Sequence, residues 1–462
     1  MDKAFAEWPR SLWSSQVTEF NFEPVTSGQI FDVVIIGAGY SGLWTAHHLL
    51  DAQSSLKIAI LDARQPGFGA SGRNGGWCSA FSPMSLEGIA RQSNPSSAIQ
   101  LQRSLISAVD DIGNFVEANG IKCGWHKGGT LAFATNGPQL QRIKESIQSF
   151  RDFGFDETFI RQLSQEESRQ AVKIPASIGA SFSPHCAALQ PAQLVDGLVA
   201  NLLSRGVSFF GNTHVVDIQP RMVTAQTPEQ MISLATNWTI RATEGFTSRI
   251  QQYRRNSAPL YSYMLATEPL TESQWAEIGW ENRETVCDAR NLVIYAQRTA
   301  DNRIAFGGRG APYKFASRID SRFDTNSHIH GLIEHSMRAM FPAIENSAIT
   351  HRWGGALGVH RDWFASACID HDTKIASLGG YVGDGVAFSY VAALEVARVV
   401  TNNRMEAPLP IRNHVSPKWE FEPFRWIGIN SLLRLSAHAD EHEERTGRVH
   451  RLINWLLQKF VA

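Results

Sequence analysis

The stretch FDVVIIGAGYSG, residues 31 to 42, decides the fold. Its first half, FDVVII, reads as a strand buried on both faces, and a glycine-rich turn follows without a spacer. LWTAHHLL then sets Leu43, Ala46 and Leu50 on one helical face, and LKIAIL at 56 to 61 returns as a second buried strand ending in Asp62. A strand, turn, helix and second strand within about thirty residues is a unit that binds dinucleotides. In it Gly37 allows the tight turn, Gly39 lets a pyrophosphate approach the backbone, and Gly42 lets the helix pack on the strand. The phosphates then sit on the helix N-terminus. Asp62 stands where a carboxylate accepts hydrogen bonds from the adenosine ribose. A purely structural glycine turn would not require strand, helix and acid in this register.

Five of the eleven residues from 67 to 77, GFGASGRNGGW, are glycine. Glycine gives up more conformational freedom on folding than any other residue, so this loop is either slack or lies against something bulky. Phe68 and Trp77 bracket the glycines, which favours the second reading over a flexible surface loop. The fingerprint alone does not separate a nicotinamide from a flavin. A flavin ring extending from the pyrophosphate needs backbone packed closely along it, and the loop follows the second strand at the right distance. FAD, held noncovalently, is the expected cofactor.

Composition excludes several other classes. The chain has 43 basic and 44 acidic residues and a net charge of -1, which leaves no electrostatic footprint for nucleic acid. No segment approaches a membrane-spanning apolar run, and the opening MDKAFAEWPRSLW carries acids and a proline before any apolar run forms. Cys78, Cys123, Cys186, Cys287 and Cys368 are far apart and lack metal-ligand spacing. A reduced, cytoplasmic protein without a structural metal, acting on a small molecule, is expected.

An aromatic arm (Trp8, Trp13, Phe20, Phe22) precedes the first strand. From Gln190, QPAQLVDGLVANLLSRG reads as a helix with proline near its start and glycine past its end, and strand-like VSFF and HVVDI follow. Between 258 and 350, YSYMLAT, NLVIYAQ and RIAFGG alternate with polar turns and one helical stretch, HIHGLIEHSMRAMF. KIASLGGYVGDGVAFSYVAALEVARVV again reads strand, glycine turn, helix. The expected architecture is α/β. A Rossmann-type FAD-binding domain is assembled from 31–85, 186–250 and 350–405, and an antiparallel-sheet α+β substrate domain from 86–185 and 251–349. The arm occupies 1–30 and a C-terminal helical extension 406–462. In the extension Val449, Leu452, Ile453, Leu456, Leu457 and Phe460 form one apolar stripe, suited to docking on the chain's own domain, with a dimer contact or membrane surface as alternatives.

Read together, GAGYSGLW, GFGASGRNGGW, TEGF at 243 to 246, YSYMLATEPL, RIAFGGRG, HRWGG and GGYVGDGVA occur in an order that resembles the D-amino-acid oxidase and glycine oxidase superfamily of FAD-dependent oxidoreductases, within it the gamma-glutamylputrescine oxidase-like branch. The resemblance runs from about residue 30 to 405. It implies that Gly37, Gly39, Tyr40, Ser41, Gly42, Asp62, Ala63 and Arg64 hold the ADP half, that Val215 pairs its backbone with adenine, and that Thr243 and Gly245 lie near the phosphates. It implies that Gly69, Ala70, Ser71, Arg73, Asn74, Gly75 and Gly76 line the flavin. Gly380, Gly383, Asp384, Gly385 and Val386 would meet its pyrimidine end through a helix N-terminus, which stabilises negative charge on reduced flavin. Arg298 resembles the arginine that reads a substrate carboxylate, pairing with Asp301 being the alternative, and Tyr261 and Tyr263 are candidates to hold an amine.

Asp384 departs from the pattern, since many relatives carry histidine there; a carboxylate beside an anionic flavin opposes reduction, so it is expected to cap the helix and face away from the ring. Cys78 is read as a buried apolar thiol rather than an attachment point. His47, His48, His328, His330 and His335 are read as solvated or satisfied, because no carboxylate partner is evident. The implied activity is oxidation of the C–N bond of an amine or amino acid by hydride transfer to flavin N5, the imine hydrolysing to an aldehyde or keto acid and dioxygen accepting the electrons to give hydrogen peroxide. The rivals are an FAD-dependent aromatic hydroxylase, suggested by the GDG triplet, an amine dehydrogenase with another electron acceptor, a nicotinamide-linked dehydrogenase and a non-catalytic flavin-stabilised module.

Overall fold

Two eight-stranded sheets organise the computed structural model, which describes residues 8–17, 19–402 and 407–461, with only the backbone of the last four. In the first sheet Ile30–Ile36 runs parallel to Ile58–Leu61 on one side and to Met231–Arg241 on the other. Ser208–Phe210 and Ile375–Gly379 extend the parallel set at its two ends. Such strands lie between helices, which is why VVII and IAIL carry no polar alternation. Val34, Ile35, Ala59 and Ile60 are fully buried. Helices Tyr40–Ala52, Pro191–Ser204 and Gly385–Val400 cover this sheet through one large apolar core.

The second sheet runs in the order Ile349–Val359, Ala258–Thr267, Ile304–Gly308, Ile294–Arg298, Thr285–Asp288, Thr130–Ala134, Gly179–Ser183, Arg161–Leu163. All pairs are antiparallel except Thr285–Asp288 with Thr130–Ala134. Helix Ser327–Met340 packs on one face through Ile333 and Met337. Two segments sit differently from the sequence reading. Helix Pro95–Ala118 turns Leu101, Leu105, Val109 and Ile112 into the core of the first sheet, and Ile349–Val359 is a strand of the second. Segments 86–185 and 350–405 therefore each straddle both bodies. Sequence periodicity marks an apolar face but not the body that covers it.

The arm packs inward. Trp13 is 1% exposed and meets Trp353 edge-on, while Phe20 and Phe22 stack toward Phe209. Residues 1–7 of the arm lie outside the described residues, as do the side chains of Lys459 and Phe460. No helix among the described residues is long and apolar enough to cross a membrane.

Helices Phe424–Thr446 and Arg451–Val461 form the extension, and Leu432, Leu435 and Ala439 of the first meet Ile453 and Leu457 of the second. Polar groups fasten it to the second sheet. Arg142 grips Glu443 through two bonds of 2.9 and 2.6 Å, and Asp440, 1% exposed, accepts from the Asn291 backbone N–H, the Asn291 side-chain amide and the Leu292 backbone N–H. A buried donor left unpaired costs about 1–3 kcal/mol. Asp440→Ala is expected to lower Tm and to let limited proteolysis release a C-terminal fragment; a digest identical to wild type would place the anchorage elsewhere.

Candidate active site

The dinucleotide turn is built as its glycines require. Gly37 has φ +106°, and a Cβ there would lie 2.5 Å from the Ala242 carbonyl oxygen; a Cβ on Gly42 would collide with the Gly37 carbonyl. Gly39 stands at the N-cap of the helix that starts at Tyr40 and brings no side chain of its own, so an anion can approach the amides that follow Tyr40. Asp62 accepts from the Ala38 N–H at 2.7 Å and the Arg64 N–H at 2.8 Å. Burial pushes its carboxyl above the ordinary range, against those two bonds, which pull it down. Val215 begins the neighbouring edge, its side chain buried beside Ala59 and Leu61. Ala63 is exposed, and Arg64 lies over the Phe68 ring at 4.4 Å.

The glycine loop leans directly on this turn. Ser71 Oγ accepts from the Tyr40 N–H at 2.9 Å, and the Gly67 N–H donates to the Ala38 carbonyl at 3.0 Å. Asn74 folds the loop by donating to the Ala70 and Ser71 carbonyls while accepting from the Gly76 N–H. Residues the sequence reading did not single out hold it from outside. Trp13 donates to the Asn74 carbonyl at 2.8 Å, Trp353 to the Arg73 carbonyl at 2.9 Å, and Gln297 to those of Gly75, Gly76 and Leu189. Arg73 also works as a tie: it pairs with Asp324 at 2.9 Å and donates to the Phe68, Pro9 and Gly354 carbonyls. Burial raises Asp324 to about 7 despite the guanidinium.

On the far side, Gly380 at φ +82° and Gly383 at φ +109° shape the turn before helix Gly385–Val400, and Tyr381 hydrogen-bonds Ser41 at 3.0 Å, joining it to the first helix. Thr243 Oγ1 lies 2.9 Å from Thr247 Oγ1, and a Cβ on Gly245 would press on the Ala356 carbonyl. Glu244, between Thr243 and Gly245, turns its carboxyl toward the Gly380 N–H at 3.5 Å. Burial raises it to about 7 against the backbone N–H bonds it accepts and the nearby Arg241 charge. Asp384 holds the N-cap position but its side chain makes no capping bond. It lines the cavity instead, and burial raises it to about 7. The expectation that it caps and faces away is therefore corrected.

That cavity, about 1070 Å³, lies between the two bodies. Ala70, Arg73, Asn74 and Gly75 with Val382 to Asp384 form one side, Leu260, Ser262, Met264 and Tyr295 the other, and Phe424, Ile429 and Leu432 of the extension contribute a wall. Ser262 and Tyr295 join hydroxyls at 2.8 Å. Three substrate-site expectations fail here for one reason: successive strand residues face opposite ways. Tyr261 and Tyr263 point into the second core, bonded to the Asp320 and Phe323 carbonyls, while Leu260, Ser262 and Met264 between and beside them face the cavity. Arg298 lies opposite in facing to Tyr295. It stacks on Trp275 at 4.1 Å and donates to the Trp280 carbonyl and Asn302 Oδ1, and Asp301 pairs with Arg303 rather than with it. Polar Ser262 within the apolar YSYMLAT was the available signal.

Of the histidines, His330 is buried with Nε2 near the Met264 and Trp353 carbonyls. His47, His48 and Asp51 form a group whose donor atoms all come within 4.8 Å, so a carboxylate partner does exist, one helical turn on. Arg205 takes it: its guanidinium lies 2.7 Å from Asp51 and 3.0 Å from His47 Nδ1, which sets a cation where a metal would compete. Cys78 is fully buried and its thiol is pushed well up by burial.

A helix N-terminus over a glycine cradle, a carboxylate at the next strand end, and a second helix without a side-chain cap across a large cavity define a dinucleotide-binding oxidoreductase site into which FAD fits. The chain belongs to the DAO family of FAD dependent oxidoreductases, whose model matches residues 32–399. It is 26% identical to the probable oxidoreductase OrdL of Haemophilus influenzae over 86% of this chain and 89% of that one. It is 25% identical to the gamma-glutamylputrescine oxidoreductase of Escherichia coli over 82% and 85%. Its fold is similar to glycine oxidase from Geobacillus kaustophilus, with a TM-score of 0.68 at 18% identity over 84% of this chain and 100% of that one.

Two outcomes follow. Asp62→Ala removes a charge-assisted acceptor worth roughly 1.5–3 kcal/mol, so FAD affinity is expected to fall about 10- to 100-fold by equilibrium titration; an unchanged Kd would assign the ribose contact to another group. Glu244 titrates at about 7 in the fold against 4.5 ordinarily. The folded chain then holds a proton that the unfolded chain has lost, so stability falls as pH rises between those values. Asp384 acts in the same direction. The Tm of FAD-free protein is expected to drop from about pH 5 to about pH 7.5, and less so in Glu244→Gln. A flat profile in wild type would contradict the assignment.

Proposed function

We propose that this protein oxidises the C–N bond of an amine or amino acid, with dioxygen as the electron acceptor and hydrogen peroxide as a product. The observation that carries this reading is the mainly apolar cavity between the flavin loop and the second sheet, closed by the extension. The Escherichia coli relative, named for gamma-glutamylputrescine, supports the substrate class. Bound FAD, held by the turn at Gly37 to Gly42, Asp62 and the loop that starts at Gly67, would supply two-electron acceptance for oxidation at the amine-bearing carbon. What the chain does is bind, orient and dry the substrate. Leu260, Met264, Leu357 and Val382 exclude water, and an apolar wall disfavours the ammonium form, so the amine is held neutral with its lone pair free to assist C–H cleavage. Ser262 and Tyr295 offer the paired hydroxyls that can fix an amine's orientation. The imine hydrolyses to an aldehyde or keto acid once it meets water.

The attachment of FAD is noncovalent in this reading, since Cys78 is locked in the core as a neutral thiol. Anaerobic mixing with a panel of amines and amino acids is expected to bleach the flavin, whereas NAD(P)H leaves it oxidised. Rapid bleaching by NAD(P)H alone would replace the oxidase by a hydroxylase. Acid precipitation of the holoenzyme is expected to leave a colourless pellet, and a yellow one would mean a covalent bond.

A further inference from the structure

The charges around the cavity do not balance. Its arginines are all matched by acids of the chain itself: Arg73 with Asp324, Arg142 with Glu443, Arg290 with Asp288 and Glu444, Arg361 with Glu420, Arg425 with Glu422. Asp384 lines the same cavity and forms no ion pair among the described residues. A carboxyl withdrawn from water must find a cation or give up its charge.

The surroundings of Asp384 fit a polar guest. Thr130 stands opposite Ser183 and Ala132 opposite both Ser181 and Cys287 in the adjoining strands, and these side chains line the cavity. Asp384 lines the same cavity as these small side chains. Hydroxyls and a carboxyl thus share a cavity whose other lining side chains, Leu260, Met264, Leu357, Ile429 and Leu432 among them, are apolar.

We propose that Asp384 pairs with an ammonium group of the substrate, and that this nitrogen is a second one, distinct from the amine that is oxidised. The second half follows from the chemistry. A carboxylate stabilises a bound ammonium, and an ammonium has no lone pair with which to expel a hydride from its neighbouring carbon. The nitrogen that Asp384 holds is therefore not the reacting one, and the substrate class is a diamine or an amine carrying a distal cationic nitrogen. Asp384 is a specificity-determining residue here. The proposal rests on the amine-oxidation reading, but ligand binding tests it without turnover.

The probe is α,α,α′,α′-tetramethylputrescine, a diamine whose amine-bearing carbons have no hydrogen to lose, compared with the monoamine of the same carbon skeleton. Binding to FAD-saturated holoenzyme is read from the flavin absorbance. A desolvated charge pair implies that wild type prefers the diamine by roughly 30-fold or more. In Asp384→Asn the preference is expected to shrink to that of an exposed pair, roughly 5-fold or less. Asp384→Glu is expected to keep part of it. Equal binding of the two ligands by wild type, or an unaltered preference in Asp384→Asn at full FAD content, overturns the proposal. If the preference behaves as expected while no amine bleaches the flavin, Asp384 keeps its role and the oxidation reading is what fails.

Discussion

Everything in this protein hangs from the contact of two glycine-rich turns. The first turns a buried strand into a helix, the second leaves the next strand, and the Tyr40 N–H to Ser71 Oγ bond clasps them together. Side chains would prevent the approach: a Cβ on Gly39 would stand 2.8 Å from Ser71 Oγ, and one on Gly72 would collide with the Gly67 carbonyl. The conformational cost of so much glycine is met by a large number of fixed backbone bonds. Trp13, Trp353, Gln297 and Asn74 all spend hydrogen-bonding groups on loop carbonyls or amides, so the loop is rigid without being bulky. A flat ring system can then lie against backbone.

The same loop joins the two bodies. Arg73 sits in the loop, Asp324 lies between strands Ile304–Gly308 and Ile349–Val359 of the second sheet, and their buried pair with its carbonyl bonds spans the junction. An ion pair so placed contributes little net stability, because desolvation offsets attraction, but it fixes one relative arrangement: any other would bury the two charges apart. The cavity between the bodies therefore has a defined shape. The extension completes it with side chains outside the 32–399 family match.

Strand alternation decides which residues face that cavity. In Ala258–Thr267 the bulky tyrosines go to the core shared with helix Ser327–Met340, and the small, polar Ser262 goes to the cavity. In Ile294–Arg298 the tyrosine faces the cavity and the arginine does not. A residue's chemistry does not determine which way it points; the packing of the opposite face does.

The sequence by itself determined the strand, turn, helix and strand of the dinucleotide unit, its acid and the glycine loop, because these depend on local spacing and on backbone room that glycine alone provides. It also pointed to both sheets, the first through continuous apolar strands beside the glycine turn and the second through strand-like pieces separated by polar turns. Tertiary structure alone decided that Glu244 lies beneath the Gly380 amide, that Arg205 occupies the His47–Asp51 group, and that Asp384 faces the cavity with no ion pair among the described residues. Each of these sets side by side residues far apart in the chain or chooses one of two faces, and a long-range contact leaves no trace in the spacing of the residues that make it.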